Sequence, residues 1–414
     1  MKFPKGFYWG AATASYQVEG FNENCDWAKA GKEGKVPLAG RLADHYHRYE
    51  EDFDIAKELG HNAHRFSIEW GRIEPQEGVF DEQEIEHYRQ VLKALKKRKI
   101  TPFITLWHFT LPLWFSESGG FERKDAPVLF ARYCAFVVRE LGDLCDHYAT
   151  INEPNVYATH GYLYGAWPPF KRASIFGKKI GKEDGTSERT GAKASFRHVW
   201  QYLRVSDNLA RAHNAAYDAI KEVRPGAQVS VVKHVHYFYS NWNPVNKLKA
   251  KLATYFQTYR FMNRVIEHSD SIGLNFYRST PFGIREEYTY TDMGWKVTPG
   301  HILGALRVLA RYKKPIFVAE AGLADKEDVI RADYITKQVN AVQKALEDGI
   351  DVRGHIYWSL IDNYEWALGT QKQFGLVHID YKTLKRTIRD SAWKYKELIE
   401  KYSGVETRRT KKSK

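Results

Sequence analysis

Apolar runs of strand length alternate with stretches of helical period along almost the whole chain. Eight runs rich in aliphatic, β-branched or aromatic residues stand out, at 7–14, 63–70, 101–109, 148–155, 228–238, 271–277, 315–322 and 354–362. Between them the period changes. In 42–59, Ala43, Tyr46, Tyr49, Phe53, Ala56 and Leu59 recur at three- and four-residue steps, and Gly60 then stops the helix. The stretches 81–97, 125–147, 196–223, 249–268, 300–312, 328–348 and 391–401 read the same way. Strands alternating with helices predict a parallel sheet, and eight such units fit a closed (β/α)8 barrel in one domain. A doubly wound open sheet is the alternative. It would carry a glycine-rich phosphate turn after its first strand, and Gly10-Ala-Ala-Thr-Ala14 lacks that spacing. The polar insert 170–193 lengthens the loop after the fourth strand, and no internal repeat or domain boundary appears. The barrel is expected over 1–404, followed by a basic, disordered tail at 405–414.

Composition narrows the class. The chain has 414 residues, 43% hydrophobic and 27% charged, as in a soluble protein with a sizeable core. Aromatics reach 14%, with 12 Trp and 26 Tyr; most belong in the core, and some suit a cleft where flat rings pack on sugars. Cys25, Cys134 and Cys145 form neither an even disulfide set nor a metal spacing, which points to a reducing cytoplasm. The N-terminus lacks the apolar stretch of a secretory signal, and nothing approaches the roughly 18 apolar residues of a membrane span. No membrane partner is expected. The net charge of +13 raises nucleic-acid binding, yet five of the last eight residues are basic and the remaining excess is scattered. With no zinc-finger, helix-turn-helix or RNA-recognition signature, nucleic acid is not an expected partner either.

The chemistry concentrates at the C-terminal ends of the strands, where barrels of this kind carry their working groups. Asn152-Glu153-Pro154 closes the fourth run and Glu320 closes the seventh. Two carboxyl groups at the ends of different strands are what glycosidic cleavage requires, one giving a proton and the other attacking carbon or activating water. Around them stand Gln17 and Glu19 past the first strand, Arg65 and Glu69 in the second, and His108 in the third. His234 and His236 follow in the fifth, Asn275 and Tyr277 in the sixth, Trp358 in the eighth, with Glu365 and Trp366 just beyond. Such a ring suits a neutral, hydroxyl-rich ligand. A metal-dependent hydrolase is the rival, because Lys233-His-Val-His236 imitates a His-x-His pair, but no further ligand cluster completes it. A sugar-binding protein on a retired barrel is the other, and retention of both glutamates speaks against it.

Several blocks carry a more specific likeness. Phe7-Tyr-Trp-Gly-Ala-Ala-Thr-Ala-Ser-Tyr-Gln-Val-Glu-Gly20, His64-Arg-Phe-Ser-Ile-Glu-Trp-Gly-Arg-Ile73, Thr105-Leu-Trp-His108 and Thr150-Ile-Asn-Glu-Pro154 come first. Gly273-Leu-Asn-Phe-Tyr277, Tyr357-Trp-Ser-Leu-Ile-Asp-Asn-Tyr-Glu-Trp366 and Phe374-Gly-Leu-Val377 follow in the same order. Along nearly its whole length the chain resembles the family 1 glycoside hydrolases, the retaining β-glycosidases. The resemblance implies an exo-acting β-glucosidase, open to galactosides and fucosides, with no cofactor or metal and a small β-glycoside or oligosaccharide as partner. It implies Glu320 as nucleophile and Glu153 as acid/base. It places Arg65, Asn275 and Tyr277 around the nucleophile, with Tyr277 also a substrate contact. Asn152 would bind the 2-hydroxyl, Gln17, His108 and Trp366 other hydroxyls, and Glu365 the 4- and 6-hydroxyls. Trp358 would form the platform beneath the ring, and Phe374 joins the substrate contacts. The chain departs from the family pattern at Ala321 after the nucleophile, at Phe109 and Thr110, and at Thr370 and Gln373. The stretch 240–270 is short for the family, so a more open cleft is expected.

Overall fold

The computed structural model describes residues 3–175, 178–179 and 193–403. Eight parallel strands close on themselves: β1 (Tyr8–Ala12), β2 (Ala63–Ser67), β3 (Thr101–Trp107), β4 (His147–Asn152), β5 (Gln228–His234), β6 (Ser271–Phe276), β7 (Ile316–Ala321) and β8 (Val352–Trp358). Neighbours in sequence are neighbours in space, and β8 closes the ring by pairing in parallel with β1, Gly10 against Ile356. The expected (β/α)8 barrel is the fold.

The helices form the outer layer: α1 (His45–Glu58), α2 (Glu82–Lys97), α3 (Ala126–Leu141), α4 (Arg197–Val223), α5 (Pro244–Thr254), α6 (Arg260–Val265), α7 (Ile302–Ala310), α8 (Arg331–Glu347) and α9 (Asp390–Ser403). Most bury an apolar stripe against the barrel; α5 buries only Ala250 and Thr254. In α2, which starts on an Asp81 carboxylate accepting from Gln83 and Glu84, the buried set is Ile85, Tyr88, Val91, Leu92, Ala94 and Leu95.

The differences from the sequence pattern lie at element ends. The run 63–70 leaves the sheet at Ser67, and from Glu69 the chain turns into the short helix Trp70–Ile73. The run 228–238 divides: β5 ends at His234, and Tyr237–Ser240 pairs outside the barrel with Ser279–Phe282. The helix read at 249–268 begins earlier, at Pro244, because Asn243 accepts from the Val245 and Asn246 amides and proline suits the first helical position. A π-helical turn, Tyr255–Tyr259, then separates α5 from α6. Most of the insert after β4 and the basic tail at 405–414 lie outside the described residues.

Close backbone approach pins β1 to β2. A Cβ at Gly10 would sit 1.9 Å from the carbonyl oxygen of Ala63, backbone that cannot swing away. Gly10→Ala should therefore destabilise the barrel by about 1–3 kcal/mol, read as a lower urea midpoint; an unchanged midpoint would contradict this packing.

Candidate active site

Arg65, on β2, is buried with its guanidinium spread across the barrel mouth. Its Nε donates to Thr105 Oγ1 on β3 at 2.9 Å, Nη1 to Glu320 Oε1 at the end of β7 at 2.5 Å, and Nη2 to Asn152 Oδ1 of β4 at 2.8 Å. The planar fork of guanidinium donors fits this division among three acceptors; a lysine would offer one point charge. Tyr277, just past β6, donates its hydroxyl to the other oxygen, Glu320 Oε2, at 2.7 Å. Both oxygens of Glu320 are thus held, one by a cation and one by a phenol.

Glu153 sits in a different setting. It follows β4 directly, with φ of 45°, and leads into the short helix Pro154–Ala158. A non-glycine residue with left-handed backbone is strained, and such strain concentrates where a side chain must be aimed. Its Oε1 accepts from Asn275 Nδ2 at 2.8 Å. Asn275, placed beside Glu320 by the family resemblance, is its register partner across β6 and β7, while its amide donates to Glu153 and, at 3.2 Å, to Asn152 Oδ1. The reason is the sheet: β6 lies between β5 and β7, and Asn275 Nδ2 reaches toward the β4 side. Burial, and after it the charge of Glu320, push the Glu153 carboxyl well above the usual carboxylate range. The Asn275 hydrogen bond, Lys233 and Arg65 pull it partly back. Lys233 was not foreseen as a site residue; a lysine on an otherwise apolar strand was the available signal. Burial holds its amine well below the ordinary lysine value, and its Nζ donates to the His234 carbonyl at 2.8 Å.

Asn152 orders the next shell. Its Oδ1 is taken by Arg65 and Asn275, so its amide Nδ2 faces His108 Nε2 at 3.2 Å. His108 then accepts at Nε2 and carries its proton on Nδ1. That buried Nδ1 has no partner among the described residues, and neither has Gln17 Oε1. Gln17 Nε2 donates to the Tyr364 carbonyl at 2.7 Å and to Asn363 Oδ1 at 3.2 Å, which fixes its amide.

Aromatic rings wall the mouth. His108 lies nearly parallel to both Trp358 and Trp366, with centroids 5.7 and 6.1 Å apart. Trp366 in turn stacks on Tyr16 and meets Trp27 at 4.7 Å. Phe374 is buried against Tyr277 and Trp295, so it braces the Tyr277 ring. Trp295, from a segment without clear period, was not anticipated. Glu365 is half-buried, and burial with the charge of Glu320 pushes its carboxyl up to about 8. Of the departures, Phe109 packs on Trp167 and Trp366, Gln373 Oε1 accepts from Arg389 Nη2 at 2.7 Å, and Ala321 is fully buried.

Of the other members of the expected ring, Glu19 and Glu69 lie apart, whereas the His234 ring stands 6.2 Å from that of Tyr277. Glu69 accepts from Ser15 and Thr110, and Glu19 from Arg72 and Tyr88, forming a buried polar cluster that joins β1, β2 and α2. His234 and His236 stand edge to face 6.4 Å apart, and His236 Nε2 is occupied by Thr280 Oγ1 at 2.7 Å.

A sequence model of glycosyl hydrolase family 1 matches residues 1–274 and 244–403. A β-glucosidase A of Acetivibrio thermocellus is 30% identical over 463 positions, covering 96% of this chain and 98% of the relative. That alignment is longer than the 414-residue chain, so the relative carries extra segments, in keeping with the shortened loops read from sequence. A solved β-glycosidase from Pyrococcus horikoshii is 33% identical with a TM-score of 0.82, covering 97% of this chain and 98% of that one. A solved β-glucosidase from Thermotoga maritima in complex with deoxynojirimycin is 28% identical with a TM-score of 0.85, covering 98% and 100%.

The Asn275 contact gives a direct electrostatic test. Asn275→Ala removes a donor that favours the charged form of Glu153, so its pKa should rise. Infrared titration of the carboxyl band, assigned with Glu153→Gln, would show this; an unchanged or lower value would contradict the geometry.

Proposed function

The chain belongs to glycosyl hydrolase family 1, a family of glycoside hydrolases, and on that footing we propose a retaining exo-β-glycosidase that favours β-glucosides and tolerates galactosides and fucosides. The observation that carries the reading is the contrast between two neighbouring carboxyl groups. Glu320 is oriented through both oxygens by Arg65 and Tyr277, while Glu153 holds its proton because of burial and the Glu320 charge. One is built to attack and the other to donate.

In the first step a Glu320 oxygen bonds to the anomeric carbon as the bond to the leaving oxygen breaks, and Glu153 passes its proton to that oxygen. The product is a glycosyl ester on Glu320. Esterification removes the charge that helped to raise Glu153, so its proton affinity falls and, having given up its proton, it stays ionised to act as base toward the attacking water. That water attacks the anomeric carbon, the ester bond breaks, and the Glu320 carboxylate returns. Asn152 would bind the 2-hydroxyl, a contact that strengthens as positive charge develops on the ring. Gln17 Oε1 and His108 Nδ1, a buried acceptor and a buried donor, suit further hydroxyls. Trp366 would complete those contacts, and Trp358 would lie beneath the sugar ring. Glu365 fits the 4- and 6-hydroxyls, and its carboxyl offers a sugar phosphate no cation to pair with. The three cysteines are buried and unbridged, which supports action in the reducing cytoplasm.

Glu320→Ala should abolish turnover. Glu153→Ala should cost about 10²–10⁴-fold on an alkyl glucoside and far less on a dinitrophenyl glucoside, whose leaving group needs little protonation. Equal losses across leaving groups would contradict the acid role. The pH profile follows from the direction of the Glu153 shift. A raised pKa keeps the proton through neutral pH and loses it on the alkaline side, so kcat/KM for a poor leaving group should show an alkaline limb set by Glu153. Glu365→Gln should leave that limb in place; its disappearance in that variant would assign the limb to Glu365 instead.

A further inference from the structure

Helix α5 carries an apolar face that the described chain leaves uncovered. Trp242, just before it, is 82% exposed, and Val245, Leu248, Leu252 and Phe256 follow at three- and four-residue steps. All are exposed, Phe256 at 64%, while Ala250 and Thr254 face inward. Scattered surface apolar residues are ordinary, but a row of five large ones, three on α5 and one just beyond each end, marks an interaction surface.

The polar residues of the same helix choose the partner. Lys247, Lys249 and Lys251 are exposed around the stripe, and residues 241–266 contain no Asp or Glu. Arg260, one turn beyond Phe256, also lines a cleft of about 590 Å³ with Lys124, Trp200, Arg204 and Arg211. The acid of that cleft, Asp207, is already taken by Arg260 and Arg264. A second copy of the chain is a poor occupant, because a two-fold contact would set these lysines against their own counterparts. Bulky apolar side chains flanked by lysines suit the boundary between acyl chains and headgroups, the apolar row entering and the ammonium groups meeting phosphates.

The geometry points to α5 as a peripheral anchor that seats the protein on an anionic lipid bilayer. No helix among the described residues is long and apolar enough to cross a membrane. The expectation of no membrane partner rested on that absence alone, and surface binding needs no spanning segment. The anchor follows directly on Tyr237–Ser240, the strand that extends from the same barrel rim as Glu153.

The test is flotation of the full chain with vesicles of equal parts phosphatidylglycerol and phosphatidylcholine, against pure phosphatidylcholine, at about 0.1 M salt. The wild type should float with the anionic vesicles and far less with the neutral ones. The triple variant Trp242→Ser/Leu248→Ser/Phe256→Ser should bind about tenfold or more weakly, and so should Lys247→Glu/Lys249→Glu/Lys251→Glu. Both should hydrolyse a water-soluble aryl β-glycoside as the wild type does, which shows that the barrel is intact. Failure of the wild type to float would overturn the proposal. So would flotation of both variants at the wild-type level, which would move binding to the basic tail, or a wild-type dimer in light scattering that the apolar variant dissolves.

Discussion

The guanidinium of Arg65 is the interaction on which the mouth of this barrel depends. Three of its nitrogens reach side chains from β3, β4 and β7, and one of those acceptors is the Glu320 carboxylate. A buried ion pair repays its desolvation only when geometry is good and the remaining donors are satisfied, and removing one member costs about 3–5 kcal/mol. Here the satisfaction is divided among strands. The charge that orients Glu320 therefore also sets Asn152, and Asn152 in turn fixes the tautomer of His108. Closing the barrel and building the site are one arrangement.

The same burial separates the two carboxyl groups. Glu320 has a cationic partner, whereas Glu153 has an amide donor and a like charge nearby, so its proton affinity is raised. Strain at Glu153 and the hydrogen bonds around it are consistent with a side chain held for a task. A carboxyl whose proton affinity falls when its neighbour is esterified suits chemistry in two opposite steps. Surface and site then divide the molecule: the mouth is polar and walled by rings, and the helix after β5 faces outward with an unmatched apolar row.

Much of this was legible in the chain. Continuous apolar runs and three-to-four periodicity located all eight strands and their helices, because buried parallel strands and amphipathic helices leave different periods. Element ends were less legible, since they depend on caps such as Asn243 and on where the chain bends into loops. Glu153, Glu320 and Arg65 were visible because strand ends converge on one face. Asn275 was placed beside Glu320, its register partner, but strand order alone does not say that its amide reaches Glu153. Lys233 and Trp295 escaped because the charge effect of the one on Glu153 and the packing of the other on Phe374 come from tertiary structure. The exposed row on α5 was hidden for a similar reason: helical period does not tell which stripe faces in.

The central claim is that Glu320 forms a covalent bond to the sugar, and trapping that species tests it most directly. A 2-deoxy-2-fluoro β-glucosyl compound with an activated leaving group should inactivate the protein, and mass mapping should place one glycosyl ester on Glu320. Turnover of an aryl β-glucoside without any such adduct, or an adduct mapped to Glu153, would contradict the account.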